Sequence, residues 1–232
     1  MFNQQGRSWF QAQLVTLRPD GQATYVERVS ATLQAPEFDF TDFPLDEQHF
    51  YIRLASVLPE EYFVYTDLKD FSEMGKKWGE EEWIVTDFET VIDSQDGHSH
   101  FSFDFTASRH LTYYTFRIFL PILIIVLVSW MTFFLKDYGK RIDVSSANLL
   151  LFIAFNFTIS NDLPRLGYLT LLDTILISTF IITGLVILAN VYLRRLEIAE
   201  KTAKAQSIDR IIIATYPWLY VFTFVILGAL FT

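Results

Sequence analysis

The chain has 232 residues, of which 51% are hydrophobic and 17% aromatic, and its mean hydropathy is +0.27. This is too apolar for an average soluble domain, so the composition favours a membrane protein. Residues 1–114 hold 8 Lys and Arg against 20 Asp and Glu, whereas residues 115–232 hold 10 against 7, so an acidic part precedes a basic one. The absence of cysteine excludes disulfides, thiol catalysis and thiolate metal sites.

The acidic part of the chain predicts short β-strands. In WFQAQLVTLRPDGQATYVERVSATL, two strand-like runs flank RPDG, where Pro fixes φ and Gly supplies the turn conformation, so we expect a hairpin. Further strand-like runs are HFYIRLAS, EYFVYTDL, EEWIVTDFETVI and FSFDFTASR. About six strands at this spacing predict a β-sandwich over residues 1–114. This sandwich is incomplete, since its edges would need partner strands.

Four apolar runs follow, and they predict helices at about residues 116–135, 142–161, 166–195 and 208–231. Each comes close to the roughly 20 residues that cross a bilayer, so residues 115–232 predict a four-helix transmembrane domain. Lys and Arg concentrate in the first and third joints between the runs, and the positive-inside bias places both joints in the cytoplasm. The N-terminal domain and the C-terminus would then lie outside. Because MFNQQGRSWF contains no export segment, we expect the native chain to begin upstream of Met1.

Three motifs occur in order along the chain: FPLDEQHF at residues 43–50, SRHLTYYTFRIFLP at 108–121 and IAFNFTISNDLPRLGYLT at 153–170. With a β-sandwich and four apolar helices, they resemble the pentameric ligand-gated ion channels, the Cys-loop receptor superfamily, and specifically its bacterial members. The resemblance implies a periplasmic or extracellular ligand-binding sandwich, four identical partner subunits, and contact with lipids of the plasma (inner) membrane. The family's loop cysteines would fall on Pro36 and Phe50 here, so packing must hold this loop.

The resemblance also implies a gating joint at the membrane surface. Residues 43–48 match the family motif Phe-Pro-Phe-Asp-x-Gln, with Leu in the third position. The residues that would couple the extracellular domain to the pore are Pro44, Asp46, Arg109 and Pro164. We expect Asp46 and Arg109 to form a buried pair, because a buried charge needs a partner. The residues alone favour a plain turn shaped by Pro44 and Asp46 and a membrane-boundary role for Arg109, and only the resemblance favours coupling.

The second apolar run differs from the others because it contains Asp, Ser, Asn and Thr, which face water or a partner in a membrane protein. Spacings of three and four residues define a row of side chains along one helix face, which we call a seam. Periodicity alone would equally allow the neighbouring seam. The resemblance selects the pore-lining residues Asp143, Ala147, Leu150, Ala154, Phe157 and Asn161. A ring of Asp143 carboxylates would concentrate monovalent cations, and a ring of Leu150 would close the pore by dewetting.

Two alternatives bear on the role of Asp143. Its side chain could instead cap the helix, accepting from the backbone near Ser145 or Ser146. Lys140 and Arg141 lie next to it in sequence and would weaken its acidic field unless they point away.

The sequence does not identify an agonist. The position that matches the family's agonist-box Trp is Val57, so an acetylcholine-like agonist is unsupported. Calcium modulation is a candidate, although acidic runs are more often solvated, and the oxygen ligands would be Glu80, Glu81, Glu82, Asp93 and Asp96. Four histidines are candidate proton sensors, and the alternative is that they are plain loop residues: His49, His98, His100 and His110.

Other function classes find less support in the sequence. It contains no Gly-rich phosphate loop, Gly-x-Ser-x-Gly or His-Glu-x-x-His, so we expect no enzyme, no cofactor and no nucleic-acid partner. A proton-coupled transporter would show charges deep in several helices and internal repeats. The alternative is a membrane-anchored β-sandwich that binds or senses without conductance, although an anchor needs a single helix. We therefore predict a ligand-gated, cation-selective ion channel.

Overall fold

Two compact units make up the chain in the computed structural model. The residues that this structure describes are 4–35, 37–67, 82–160, 163 and 165–230. The first unit combines Met1–Asp39 with Glu47–Arg109, and the second combines Phe40–Asp46 with His110–Thr232. The helical unit thus begins at His110, a few residues before the predicted division at 114, and it includes the short stretch 40–46 from between two strands.

The first unit opens with a two-stranded antiparallel hairpin. Strand β1 covers Trp9–Leu17 and strand β2 covers Ala23–Ser30. Between them, the backbone N–H of Arg18 donates to the carbonyl oxygen of Gln22 at 2.8 Å, and Gly21 has a φ of +88°. Glycine adopts this left-handed conformation without steric cost, which explains its place in the turn. The hairpin predicted around RPDG is confirmed.

A three-stranded antiparallel sheet forms the rest of the first unit. Strand β3 covers Glu47–Pro59, β4 covers Trp83–Gln95 and β5 covers His98–Arg109, and β5 lies between the other two. The turn from β4 to β5 consists of Asp96 and Gly97, both with positive φ. Two consecutive residues of this kind form the tight turn whose twist matches that of the flanking strands.

One face of this sheet is apolar because the three strands align their aromatic residues in register. Phe105 on β5 stands opposite Phe50 on β3 and Phe88 on β4, and the rings of Phe50 and Phe105 stack with centroids 4.9 Å apart. Successive side chains of a strand point to opposite faces, so the same alternation places Phe103 and Ile52 on this face. Phe88 is 45% exposed, so the described strands leave part of this face uncovered.

The strand predicted from EYFVYTDL is wrong. Residues 61–67 form no strand, because the chain turns as soon as β3 ends at Pro59. The carbonyl oxygen of Pro59 accepts from the N–H groups of Tyr62 and Phe63 at 2.9 and 3.1 Å. The aromatic residues that suggested a strand here surround this turn instead, and the described part of the chain contains five strands rather than six.

Four helices form most of the second unit: α1 (Leu111–Phe134), α2 (Tyr138–Ile159), α3 (Leu171–Ile198) and α4 (Thr202–Leu230). In the described residues, these four are long and apolar enough to cross a membrane. Helices α1, α2 and α4 begin several residues before their predicted starts. Their first turns contain polar residues, which a search for apolar runs leaves out. Helix α3 begins later than predicted, because Thr170 caps it.

Buried apolar side chains pack the four helices together. Phe152 of α2 is fully buried, and its ring centroid lies 6.4 Å from that of Phe180 on α3. We call the end of the bundle where α1 and α3 begin (Leu111, Leu171) the loop end. The opposite end, where α2 begins (Tyr138), is called the basic end.

A side-chain amide closes the loop that contains the FPLD motif. Gln48 is 2% exposed, its Oε1 accepts from the backbone N–H of Asp39 at 3.1 Å, and its Nε2 donates to the carbonyl oxygen of Asp39. The ring of Phe50 packs against that of Phe38, with centroids 4.9 Å apart. Packing around Phe50 agrees with the expectation for a loop without cysteines, whereas Pro36 lies outside the described residues.

Gln48→Leu is expected to lower the free energy of unfolding by about 1–3 kcal/mol, because leucine keeps the buried volume but removes both hydrogen bonds to Asp39. The measurement is the thermal unfolding midpoint of the purified protein. Gln13→Leu is the matched control, since Gln13 lies on the exposed hairpin and donates to Glu27 at 2.7 Å. Its effect should stay within about 0.5 kcal/mol. Equal shifts in the two variants would contradict the closing role of Gln48.

Candidate functional site: the loop end and the exposed face of helix α2

The loop formed by residues 40–46 caps the start of helix α3. The backbone N–H of Leu171 donates to the carbonyl oxygen of Thr41 at 2.8 Å, and that of Leu172 donates to Phe43 at 3.2 Å. The first N–H groups of a helix have no acceptor within the helix, so groups outside it must supply one. Here residues 40–46, which we call the FPLD loop, supply two of these acceptors.

A capping box completes the start of α3. The N–H of Asp173 donates to the hydroxyl of Thr170 at 3.1 Å, and the carboxylate of Asp173 accepts from the Thr170 N–H at 3.1 Å. Through this reciprocal arrangement, the backbone N–H groups of Thr170 and Asp173 each have an acceptor. Just before the cap, the hydroxyl of Tyr168 accepts from the N–H of Phe40 at 2.9 Å. The loop is therefore bonded both to α3 and to the segment that leads into it.

Phe43 anchors the loop in the core of the helical unit. Its side chain is 2% exposed, and its ring meets that of Tyr114 on α1 edge to face, with centroids 5.3 Å apart. The same apolar cluster contains Ile159 of α2 and Leu172 of α3, so Phe43 packs into a core built from three helices. The next residue, Pro44, is also buried. A shift of this loop would therefore disturb the packing of three helices.

Asp46 and Arg109, the pair predicted to couple the domain to the pore, are both buried, with exposures of 3% and 7%. They fall in different units, and their pairing stays a prediction. Within its own unit, Arg109 donates to the carboxylate of Glu82 and lies 4.2 Å from the ring centroid of Trp83. Sequence reasoning missed both partners, because Glu82 was assigned to a calcium site. The register of the two strands could have indicated these partners, since Trp83 pairs with Arg109 across β4 and β5.

One face of helix α2 is exposed in the described part of the chain. The predicted pore residues that lie on this exposed face are Asp143, Ala147, Leu150, Ala154 and Phe157. Leu150 and Phe157 are 67% and 74% exposed. Leu151 is also exposed, so the face includes part of the neighbouring seam. Asn161 and Pro164 lie outside the described residues.

The other face of α2 packs into the bundle through Arg141, Ser145, Asn148, Phe152 and Ile159. Asn148 donates from Nδ2 to the carbonyl oxygen of Ile125 on α1 at 3.1 Å. The polar residues of this helix are therefore divided, since some bond to neighbouring helices and others lie on the exposed face.

Asp137 rather than Asp143 caps α2. Its side chain accepts from the N–H groups of Gly139 and Lys140 at 2.7 and 3.4 Å. These hydrogen bonds, first that from Gly139, hold the pKa of Asp137 below its ordinary value. Because the helix begins at Tyr138, Asp143 lies within the helix and is exposed, so its alternative role as a cap is excluded.

Arg141 turns into the bundle and pairs with a residue of α4. Its Nη1 and Nη2 donate to the two carboxylate oxygens of Asp209 at 2.5 and 3.1 Å, and its Nε donates to the carbonyl oxygen of Leu135. The guanidinium also lies 4.8 Å from the ring centroid of Tyr138. The side chains of Arg141 and Asp209 are 5% and 14% exposed. Lys140, in contrast, is exposed.

Acidic residues predicted to bind calcium do not come together in the described part of the chain, where no group of three or more His, Asp and Glu could hold a metal. Glu80 and Glu81 lie outside the described residues. Glu82 binds Arg109, Asp93 accepts from Gln95 at 3.0 Å, and Asp96 forms the turn after β4. Calcium modulation stays a prediction.

Of the histidines proposed as proton sensors, His49 lies on β3, His98 and His100 lie on β5, and His110 directly precedes α1. Nδ1 of His49 lies 3.0 Å from the hydroxyl of Thr106, and Nδ1 of His98 lies 3.2 Å from the carbonyl oxygen of Leu58. Val57, at the position of the family's agonist-box Trp, is 92% exposed.

Comparisons with known proteins identify relatives along nearly the whole chain, although no family model matches it. The proton-gated ion channel of Gloeobacter violaceus is 26% identical over 231 residues, which cover 94% of this chain and 62% of the relative. The gamma-aminobutyric acid receptor subunit rho-2 of Bos taurus is 24% identical, over 73% of this chain and 38% of the relative. The gamma-aminobutyric acid receptor subunit beta of Caenorhabditis elegans is 24% identical, over 72% and 32%. The chain thus spans less than two thirds of the length of these relatives.

These relatives are ion channels and receptor subunits rather than enzymes, in agreement with the sequence. Together with four helices long enough to span a bilayer, they identify a multi-pass membrane protein. The order of β-sheets and helices agrees with the resemblance carried by the three motifs. Over most of its length the chain is similar to ion-channel and receptor proteins, in agreement with its resemblance to the pentameric ligand-gated ion channels, the Cys-loop receptor superfamily.

Proposed function

We propose that this chain assembles as a homopentamer into a ligand-gated, cation-selective channel whose pore is lined by α2. The observation that supports this most directly is the exposed face of α2, which contains the carboxylate of Asp143 although the helix is long and apolar enough to span a membrane. A charged group on a membrane helix needs water or a partner. Five copies around a shared axis would supply a water-filled lumen for this face.

The residues along this face suit a gated pore. The small side chains of Ala147 and Ala154 alternate with the bulky, exposed side chains of Leu150 and Phe157. In a ring of five helices, the alanines would leave the lumen wide and the bulky residues would constrict it. Apolar constrictions of this kind close a pore by dewetting.

Cation selectivity rests on the charges at the basic end. Asp143 is exposed, whereas Arg141 is buried and bound to Asp209. Five carboxylates near the axis would attract cations and repel anions. Lys140 is exposed and three residues before Asp143, so it opposes part of this field.

The orientation in the membrane follows from the joints between helices. Lys136 and Lys140 lie around the start of α2, and Arg194, Arg195 and Lys201 lie around the end of α3. The positive-inside bias places this basic end in the cytoplasm. The N-terminal domain and the C-terminus then lie on the outer side of the plasma membrane.

Gating would pass through the FPLD loop. Its carbonyl oxygens bond to the start of α3, and α3 packs against α2 through Phe180 and Phe152. A movement of the loop would therefore reach the pore helix through one intervening helix. A buried pair of Asp46 with Arg109 would connect the same loop to the end of β5.

Protons are the stimulus to test first, because the Gloeobacter relative is described as proton-gated. The sheet offers titratable groups for such a role, since Glu89 stands directly opposite Asp104 and Asp93 opposite His100 across β4 and β5. Like charges directly opposite each other, as in the pair Glu89 and Asp104, are destabilising. Calcium is the second stimulus to test.

The proposed function predicts current from the full-length protein in planar bilayers under a salt gradient, with a reversal potential near the cation equilibrium. Asp143→Asn is expected to lower conductance and cation preference, because it removes the acidic ring. Asp173→Asn is the matched control, since Asp173 belongs to the capping box at the opposite end of the bundle. Reversal at the anion equilibrium would overturn cation selectivity. No current at any pH or calcium level would favour the non-conducting sensor.

Leu150→Ser is expected to raise the current at rest, because a hydroxyl at a dewetted constriction stabilises water there. Leu151→Ser is the control that separates the two seams, since Leu151 is exposed on the same helix but about 100° further round. The measurement is the fraction of maximal current without stimulus. A larger effect at Leu151 than at Leu150 would assign the pore to the neighbouring seam.

Tyr168→Phe is expected to shift the stimulus dependence of the current by about two- to tenfold, because it removes the acceptor of one loop hydrogen bond. The measurement is the stimulus concentration at half-maximal current. Tyr62→Phe, at an exposed position after β3, should leave this concentration unchanged. An unshifted response of Tyr168→Phe would argue against coupling through the loop.

A further inference from the structure

Two opposite charges near the start of α2 point to different sides of the helix. Arg141 and Asp143 are two residues apart, and successive residues of an α-helix are rotated by about 100°. Arg141 is buried and pairs with Asp209 of α4, whereas Asp143 lies on the exposed face. The helix therefore separates a cation and an anion that the sequence places almost side by side.

The position of Arg141 is fixed by bonds to all three of its guanidinium nitrogens. Two donate to Asp209 in a bidentate arrangement, and the third donates to the carbonyl oxygen of Leu135. Bidentate pairs of this type fix orientation as well as charge. Of these acceptors, Asp209 brings the compensating negative charge. A guanidinium without that charge would be costly to keep inside an apolar bundle.

We propose that Asp209 is a positioning residue for ion selectivity, which acts by keeping Arg141 inside the bundle and neutralising it. This inference rests on the proposed cation channel with its Asp143 ring. Without the carboxylate of Asp209, the long arginine side chain extends towards the nearest water, as charged side chains near helix ends do. In a pentamer, five uncompensated positive charges then act on the mouth of the pore.

The field of Asp143 that attracts cations is already partly opposed at this end of α2. Exposed Lys140 already opposes the field of Asp143, as its neighbour one helical turn away. One more positive charge per subunit shifts the balance at the mouth from attraction of cations towards attraction of anions. Asp209 therefore influences permeation although it belongs to α4 and lies outside the exposed face of α2.

The test is the reversal potential of the full-length protein under a sodium chloride gradient. Asp209→Asn is expected to lower the cation-to-anion permeability ratio by about tenfold, given five added charges and partial screening by salt. Arg141→Gln alone should raise this ratio, because it leaves a negative charge at the same place. The double variant Arg141→Gln/Asp209→Asn should return close to the wild-type ratio. A purely structural role of Asp209 would change assembly or thermal stability without moving the ratio.

Glu200→Gln is the matched control, because it removes one exposed negative charge at the same end of the bundle. Its ratio should stay within about twofold of the wild type. A conducting Asp209→Asn variant with the wild-type ratio would overturn the inference. Where that variant does not assemble, an unchanged ratio in Arg141→Gln overturns it instead. A wild-type reversal potential at the chloride equilibrium would overturn both the proposed function and this inference. A cation-selective wild type whose permeability ratio these variants leave unchanged would overturn the inference alone.

Discussion

The start of α3 imposes the constraint on which the loop end depends. A helix that begins at the edge of an apolar bundle presents N–H groups that must find acceptors outside the helix. The carbonyl oxygens of Thr41 and Phe43 meet this need, and Thr170 supplies the next acceptor. A segment between two strands thereby becomes part of the helical unit. The position of the FPLD loop is thus explained by unsatisfied backbone groups as much as by its own motif.

The basic end of the bundle follows a different rule, which concerns charge. A guanidinium is tolerated inside the bundle because Asp209 lies opposite it, and a carboxylate is tolerated on the exposed face because water or a partner reaches it there. The same helix therefore packs against the other helices of the chain on one face. Its other face is exposed, and Arg141 and Asp143 show how closely packed and exposed positions approach in sequence.

Much of the fold could be predicted from the sequence, because local patterns specify it. The RPDG hairpin and the existence of four long helices rest on short-range turn chemistry and on hydropathy. The starts of the helices could not be located from apolar runs, since the capping residues Asp137 and Thr170 are polar. The partners of Arg141 and Arg109 were also missed, because Asp209 and Glu82 are far from them in sequence and only the folded chain brings each pair together.

The closure of the FPLD loop by Gln48 has a consequence for where this protein can fold. An amide that bonds to both backbone groups of Asp39 needs no oxidant to form these bonds. Reductants in the surroundings do not open it, and the chain has no thiol that could pair wrongly. A loop held in this way has the same structure in an oxidising and in a reducing compartment.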